Sequence, residues 1–474
     1  MNHSSAADKP SITTDLLDVH DFFRFAQSEQ DRLLAVIFGT IEHFFGDVAA
    51  LFSGVADPRN SNKTDHPLGA LALAGVLMFL FRLQARRQVA LLLRTRAAVE
   101  TFNTLFGTSR FPHGDTLDYG FSRLDAQDMQ AVVSALPRRL IANKTLDQFR
   151  LLGKYFVVAG DGTGILSFPK RHCAHCLTRK HNGKTLYYHS VLEAKLVTSH
   201  GLALSLMTEF VENPGPNPTK QDCELKAFYR MAENLKAAFP RLPMLLTLDG
   251  LYAKGPVFDI CRRHGWGFMI VLKDKDLPSV NEEFASLCPL QPENRLTWIS
   301  GKQKERRQDF RWVEGISYTD SAGREHCLSV IECLETKPNT HGTPETTKFK
   351  WVTNLKVTKA NVAALANEGG RIRWKIENEG FNAQKNSGYG LEHAYTTNPT
   401  SAKVFYFLLQ IAHTIEQLIT KGSLLRKAFP QRLGSGKNLA LRLLEAFRTR
   451  PLTRALVKGL AHCRFQVRFC PDTS

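Results

Sequence analysis

The sequence predicts an α/β protein, and two observations carry the prediction. A short apolar run, Tyr155, Phe156, Val157 and Val158, closes on Gly160 and Asp161 within YFVVAGDGTG at 155–164, and the pattern returns as MLLTLDG at 244–250, with Asp249 near its end. Buried strands that deliver a carboxylate to their C-terminal edge read this way, and that edge is where open α/β sheets place ligands. Long stretches with helical spacing surround both runs, as expected for helices packed on a sheet.

Bulk properties narrow the class. With 474 residues, 43% hydrophobic and 23% charged, the chain reads as a globular protein of two to four domains. Its 62 Lys and Arg against 45 Asp and Glu give +17, which favours polyanions, with nucleic acid first and an anionic membrane second. The polar start MNHSSAADKP is not a secretory signal. The most apolar stretch, LGALALAGVLMFLF at 68–81, falls short of the roughly 20 residues of a membrane span, so it reads as a core helix and no membrane partner is expected. Nine scattered cysteines suit a reducing cytosol better than a disulfide framework, so a cytoplasmic, nucleoid-associated protein is expected.

Taken in order, residues 1–15 read as disordered, and a helical region extends to about 150. There Leu33, Leu34, Ile37, Ile41, Phe44 and Phe45 recur at helical spacing, and capped helices are expected near 115–117 and 125–136. This region, 1–150, is assigned to DNA binding or dimerisation. Its basic cluster, Arg82, Arg86, Arg87, Arg94 and Arg96, is read as a solvated face in preference to a DNA contact.

Residues 151–289 change period. Strands are expected at 155–159, 185–197 and 202–211, then a helix at 220–239, the strand Met244–Leu248, a helix around Gly255–His264 and a strand at 267–272. This β-β-β-α-β-α-β order is the ribonuclease-H-like arrangement. Alternating segments at 296–299, 304–313, 327–332 and 349–355 make 290–357 a β-rich insertion. Residues 358–420 return to helix, first RIRWKIENEGFNAQK at 371–385 and then an apolar core helix at 401–419. The tail, 421–474, carries Arg426, Lys427, Arg432, Lys437, Arg442 and further basic residues, and reads as a helical appendage for DNA or a partner, or as solvated helices.

Cleaving a phosphodiester requires an activated water and a stabilised leaving oxygen, and two divalent cations about 3.5–4 Å apart supply both. Mg²⁺ takes carboxylate oxygens and keeps several waters, so two or three acids suffice to hold the pair. Asp161 would bridge both ions, while Asp249 from a neighbouring strand and Glu377 from a helix packed behind would fix one each. Taken singly, either aspartate is as well read as a turn or cap residue; the three together fit the expected fold.

On its GDGTG, LDGLYA and RWKIE blocks, within about residues 115–419, the chain resembles the DDE transposases of bacterial insertion sequences, in the branch with a β-rich insertion between the second Asp and the Glu. That branch carries Tyr, two residues, Arg, three residues, Glu, six residues, Lys. Arg373 and Glu377 match, Gly370 stands at the Tyr position, and Gln384 stands at the Lys position with Lys385 next to it. Arg373, Glu377, Phe381 and Lys385 advance by fours along one helical face, and Glu379 points roughly opposite. Gly380 within this helix keeps Glu379 open as the alternative third acid.

The resemblance implies a ribonuclease-H-like catalytic domain, two Mg²⁺ or Mn²⁺ ions, and binding to double-stranded DNA at terminal inverted repeats and at a target. It implies hydrolytic nicking followed by strand transfer, performed by a homodimer that pairs two ends. It also implies phosphate contacts for Arg373 and Lys385, and an aromatic held against a flipped base, for which Trp298, Trp312 and Trp351 are the candidates. Two rivals are a related metal-dependent nuclease without strand transfer and a catalytically inactive DNA-binding descendant.

One signal competes. His172-Cys173-Ala174-His175-Cys176 contains C-x2-C, half of a tetrahedral Zn²⁺ site, which His181 could join and either His189 or His462 and Cys463 could complete. No second C-x2-C follows, so a loop with incidental thiols is the favoured reading. The Gly160–Gly164 loop lacks the Gly-Lys-Ser/Thr of a P-loop, and no G-x-S-x-G supports a serine hydrolase.

Overall fold

The protein was analysed as a computed structural model, which describes residues 26, 28–216, 218–301, 305–431, 433–462 and 467–469. The segment 1–15, expected to be disordered, and Cys463 lie outside the described residues. Helices α1 (Glu29–Phe45), α2 (Leu68–Leu80), α3 (Arg86–Leu92), α4 (Arg96–Phe106), α5 (Gly114–Phe121) and α6 (Ala126–Ala142) form the N-terminal body. Ser28 caps α1 by accepting the Asp31 amide at 3.1 Å, and the Asp31 carboxylate accepts the Ser28 amide at 3.2 Å in return, a reciprocal capping box. Helix α2 is buried almost all round, which is where an apolar helix without a polar face must sit. Among the described residues no helix is long and apolar enough to cross a membrane.

Among the described residues ten strands follow in one mixed, mostly antiparallel sheet: β1 (Phe156–Phe168), β2 (Leu177–His181), β3 (Lys184–Val197), β4 (Ala203–Val211), β5 (Met244–Leu248), β6 (Gly267–Val271), β7 (Arg295–Ser300), β8 (Arg306–Thr319), β9 (Glu325–Pro338) and β10 (Pro344–Thr353). The order is β3-β1-β5-β6-β10-β9-β8-β7, with β2 and β4 both on the outer side of β3, one at each end of it. Of the strand pairs among the described residues, β1–β5 and β5–β6 are parallel and the others antiparallel. Between strands lie α7 (Glu224–Ala238), α8 (Gly255–His264) and α9 (Pro278–Leu287). After β10 come an irregular helical segment α10 (362–386), the long α11 (Pro399–Lys421), α12 (Ser423–Ala428), α13 (Gly436–Thr449) and α14 (Arg454–His462).

Three features depart from the sequence expectations. First, β1 does not stop at Ala159 but runs on to Phe168, because β3 is long enough to pair with it throughout. Gly160 permits this: a Cβ there would lie 2.6 Å from Leu248 Cδ2. Second, the stretch at 290–357 extends the main sheet, since β10 pairs with β6 from Trp351↔Val271 to Thr353↔Met269. Third, α10 is not a regular α-helix. It passes through wide π-type turns at Leu365–Gly370 and Ile376–Asn382, with a tight 3₁₀ turn at Arg371–Arg373 between them. The basic tail does not stand apart either, as α13 packs on α1 and α4, and Arg442 pairs with Glu29 at 2.9 Å.

The sheet and the helices meet over one fully buried ion pair. Glu193 and Lys195 of β3 lie 3.0 Å apart with neither side chain exposed. Ser205 Oγ and Tyr406 Oη donate to Glu193 at 2.7 and 2.8 Å, Thr208 also donates to it, and Lys195 donates to Gln410 at 2.7 Å. Every charged atom therefore has a partner, which is the condition for tolerating charges without water. Replacing Glu193 with Leu strands the ammonium and three hydroxyl groups, and is expected to cost about 3–5 kcal/mol. A chemical-denaturation midpoint that does not move in Glu193→Leu would show that the pair does not hold the two layers together.

Candidate active site

The site lies where β1 outruns β5. The parallel β1–β5 ladder ends at Ala159↔Thr247, whereas the antiparallel β1–β3 ladder continues through Asp161↔Glu193. Asp161 thus stands just beyond the shared ladder, and Asp249 follows β5 directly. On the same side α10 packs over β1 and β5.

Arg373 of α10 donates to Asp161 Oδ2 at 2.8 Å, with the two side chains only 13% and 24% exposed. Burial raises the Asp161 pKa, the Arg373 guanidinium and the Gly162 amide lower it, and the charges of Asp249 and Glu377 raise it again. The three acids singled out in the sequence are therefore brought into one electrostatic environment from three elements. Glu379 points elsewhere: it pairs with Lys375 at 2.7 Å, and its carboxyl carbon would lie 3.7 Å from a Cβ at Gly201. Lys385 pairs with Glu392 at 3.0 Å. The wide turn at Ile376–Asn382 explains that position, because a turn wider than an α-turn breaks the four-residue ladder that was expected to carry Lys385 on the Arg373 face. Gly370, at the family's Tyr position, has no room for a side chain: a Cβ there would lie 2.6 Å from the Trp351 ring.

A fourth carboxylate, unforeseen in the sequence, completes the cluster. Glu224, the first residue of α7, accepts from buried Tyr252 Oη at 2.7 Å and would sit 2.4 Å from a Cβ at Gly162. Burial raises its pKa, the Tyr252 hydrogen bond lowers it, and the charges of Asp161 and Asp249 raise it further. An acid in the first turn of a helix is common for dipole reasons alone, so the sequence pattern did not mark it.

Beside Asp249 opens a cleft of about 480 Å³, with Lys273, Lys348, Arg371 and Arg373 among its lining residues. Trp374 lines it too, is 57% exposed, and lies 5.1 Å from the Arg373 guanidinium. Of the three tryptophans named in the sequence, Trp312 and Trp351 are buried and Trp298 is exposed. Trp374 was missed, although an aromatic between Arg373 and Lys375 on a polar helix is itself a signal. The basic cluster at 82–96 divides: Arg82 pairs with Glu416 at 2.5 Å and Arg86 with Asp118 at 3.1 Å, whereas Arg87, Arg94 and Arg96 are exposed, as a solvated face requires.

Four carboxylates and one guanidinium form an oxygen-rich, anionic donor set, the chemistry that hard divalent cations such as Mg²⁺ and Mn²⁺ select. Among the described residues these acids do not gather as the ligands of one ion, and the group drawn within one ion's reach is instead His172, Cys173, Cys176 and His189. No protein-family model matches the chain, and no curated protein matches it.

The raised pKa of Glu224 has a measurable consequence. Glu224 resists ionising in the fold more than in the unfolded chain, so its contribution is neutral in acid and becomes unfavourable as pH rises from the ordinary carboxylate range through its folded value. Glu224→Gln keeps an acceptor for Tyr252 and removes the charge. Without added metal it is expected to raise the melting temperature by roughly 1–2 °C at neutral pH and by nothing below about pH 4. A gain independent of pH would place Glu224 outside the cluster's field.

Proposed function

We propose that this protein is a DDE-type transposase that binds the ends of its mobile element and carries out metal-dependent nicking and strand transfer on DNA. The observation that carries the proposal is that the charges of Asp249, at the end of β5, and Glu377, of α10, act on Asp161, in β1 just past its ladder with β5, beside a basic cleft. The order β4-β3-β1-β5-β6, antiparallel on one side of β1 and parallel on the other, supports a ribonuclease-H-like core extended by β7 to β10. The excess of basic residues supports double-stranded DNA as the partner, and a homodimer would pair the two ends.

Asp161, Asp249 and Glu377 would hold two Mg²⁺ or Mn²⁺ ions, which when bound supply an activated water and a Lewis acid at the scissile phosphate. The chain's own residues prepare that place. Arg373 keeps Asp161 oriented and also lines the cleft, where a phosphate could accept from its guanidinium. Lys273 and Lys348 would track the DNA backbone as point charges. Trp374 offers a ring face on which an unpaired base can stack.

The proposal is tested with linear DNA bearing the element's own ends, in Mg²⁺ or Mn²⁺. The wild type should nick at the element boundary and join the freed strand to target, and Asp161→Asn should bind the same ends without nicking. Nicks without joining would identify a nuclease. End binding with no nick under either metal would identify an inactive descendant.

Trp374→Ala isolates the cleft. Loss of one stacking platform, at about 1–3 kcal/mol, should weaken binding of a frayed or single-stranded end about 10- to 100-fold, with a smaller effect on intact duplex. Equal anisotropy titrations for both proteins would remove Trp374 from the DNA path.

A further inference from the structure

The strongest unassigned chemistry lies at the far end of the β1–β3 ladder. Between β1 and β2 the chain makes a knuckle, 172–176, that lies against His189 of β3. His172 Nδ1 lies 3.1 Å from Cys176 Sγ, the two sulfurs are 3.5 Å apart, and His189 Nε2 lies 3.4 Å from Cys173 Sγ and 3.5 Å from Cys176 Sγ. All four donor atoms fall within 4.8 Å of one another.

We propose that His172, Cys173, Cys176 and His189 bind a structural Zn²⁺ ion. A tetrahedral ion with Zn–S near 2.3 Å and Zn–N near 2.0–2.1 Å spaces its ligands about 3.3–3.8 Å apart, close to the separations found. Two sulfurs and two imidazole nitrogens are a standard closed donor set for zinc and leave no position for substrate, so the role is structural. Binding forms two Zn–S and two Zn–N bonds and releases the two thiol protons to solvent.

The surroundings are organised as a metal site requires. His189 turns Nε2 to the sulfurs and Nδ1 toward Glu212 at 3.9 Å, and Lys403 fixes the other oxygen of Glu212 at 2.6 Å. Asn213 donates to the Cys176 carbonyl at 2.8 Å and to the His175 carbonyl at 3.2 Å, and His175 Nδ1 meets the Asn213 carbonyl at 2.9 Å. His181, the candidate ligand in the sequence, is instead exposed at the end of β2. His172 takes its place because the loop folds back on Phe168, whose ring lies 4.1 Å from that imidazole. The ion would therefore fasten β1, β3 and the 212–222 connection, and that connection ends where Glu224 begins.

The test uses the full chain purified under reducing conditions. Metal analysis should give one zinc per chain. Substitution with Co²⁺ should give the thiolate charge-transfer and intense d–d bands of a tetrahedral sulfur-bearing site. Cys173→Ser, at the less buried sulfur, and His189→Gln should each lose at least about 100-fold in Zn²⁺ affinity, whereas His181→Ala should not change it. The cobalt spectrum of the wild type decides the matter even where a variant fails to fold. Weak octahedral bands, zinc that is retained equally in Cys173→Ser, or a Cys173–Cys176 disulfide in protein prepared with zinc and reductant would each overturn the assignment.

Discussion

Strand β1 has two partners of unequal length, and much of the architecture depends on that inequality. With β5 it shares only a short parallel ladder, from Phe156↔Met244 to Ala159↔Thr247, but with β3 it stays paired as far as Phe168. The sheet consequently opens into a notch at Gly160 and Asp161. A notch between diverging strands is lined by backbone and strand-end side chains and cannot be filled by the sheet itself, so helices must close it. Helix α10 does so from one side with Arg373 and Glu377, and α7 from the other with Glu224.

Charge within that notch is deliberately unbalanced. Arg373 offsets part of the cost of burying Asp161, but the charges of Asp249 and Glu377 act against it. Glu224 accepts from the Tyr252 hydroxyl, and Asp249 spends one oxygen on the Leu251 amide at 2.9 Å. A cluster serving stability alone would pair each acid, as Glu193 is paired a short distance along β3. The contrast between these two carboxylate environments, on facing positions of the same ladder, supports the metal-binding role proposed for the notch.

Much of this was legible in the sequence, for identifiable reasons. Met244–Leu248 was read to the residue and the helix around Gly255–His264 was placed, because a mostly apolar run and a Pro-initiated helix have sharp limits. Asp161 was found, but the end of its strand was misplaced: Gly160 and Gly162 look like a turn, and only the long partner β3 turns them into a strand that lets Leu248 and Glu224 approach. Helix α9 and strand β2 were missed because both are short and amphipathic only in relation to neighbours. Glu224 could not be seen at all, since its place is defined by groups that tertiary packing brings together; Cys173, Cys176 and His189 were legible as candidates, and only the exchange of His181 for His172 was not.

The β-rich stretch after β6 is better understood as the mount of α10 than as an addition to the core. Glu335 of β9 accepts from Arg306 at 2.6 Å and Gln308 at 2.9 Å, and also from Arg371 at the start of the tight turn that presents Arg373. Asn367 bonds Gln308 in both directions at 2.9 Å. On the other flank Trp351 of β10 presses against Gly370 so closely that no side chain fits there. These contacts explain why a glycine stands at the tyrosine position of the signature that Arg373 and Glu377 otherwise match. They also explain how a helix distorted by two wide turns still holds both residues over Asp161. Its placement is imposed by buried polar contacts with β8 and β9 and by the Trp351 ring, so its own hydrogen-bond ladder need not be regular.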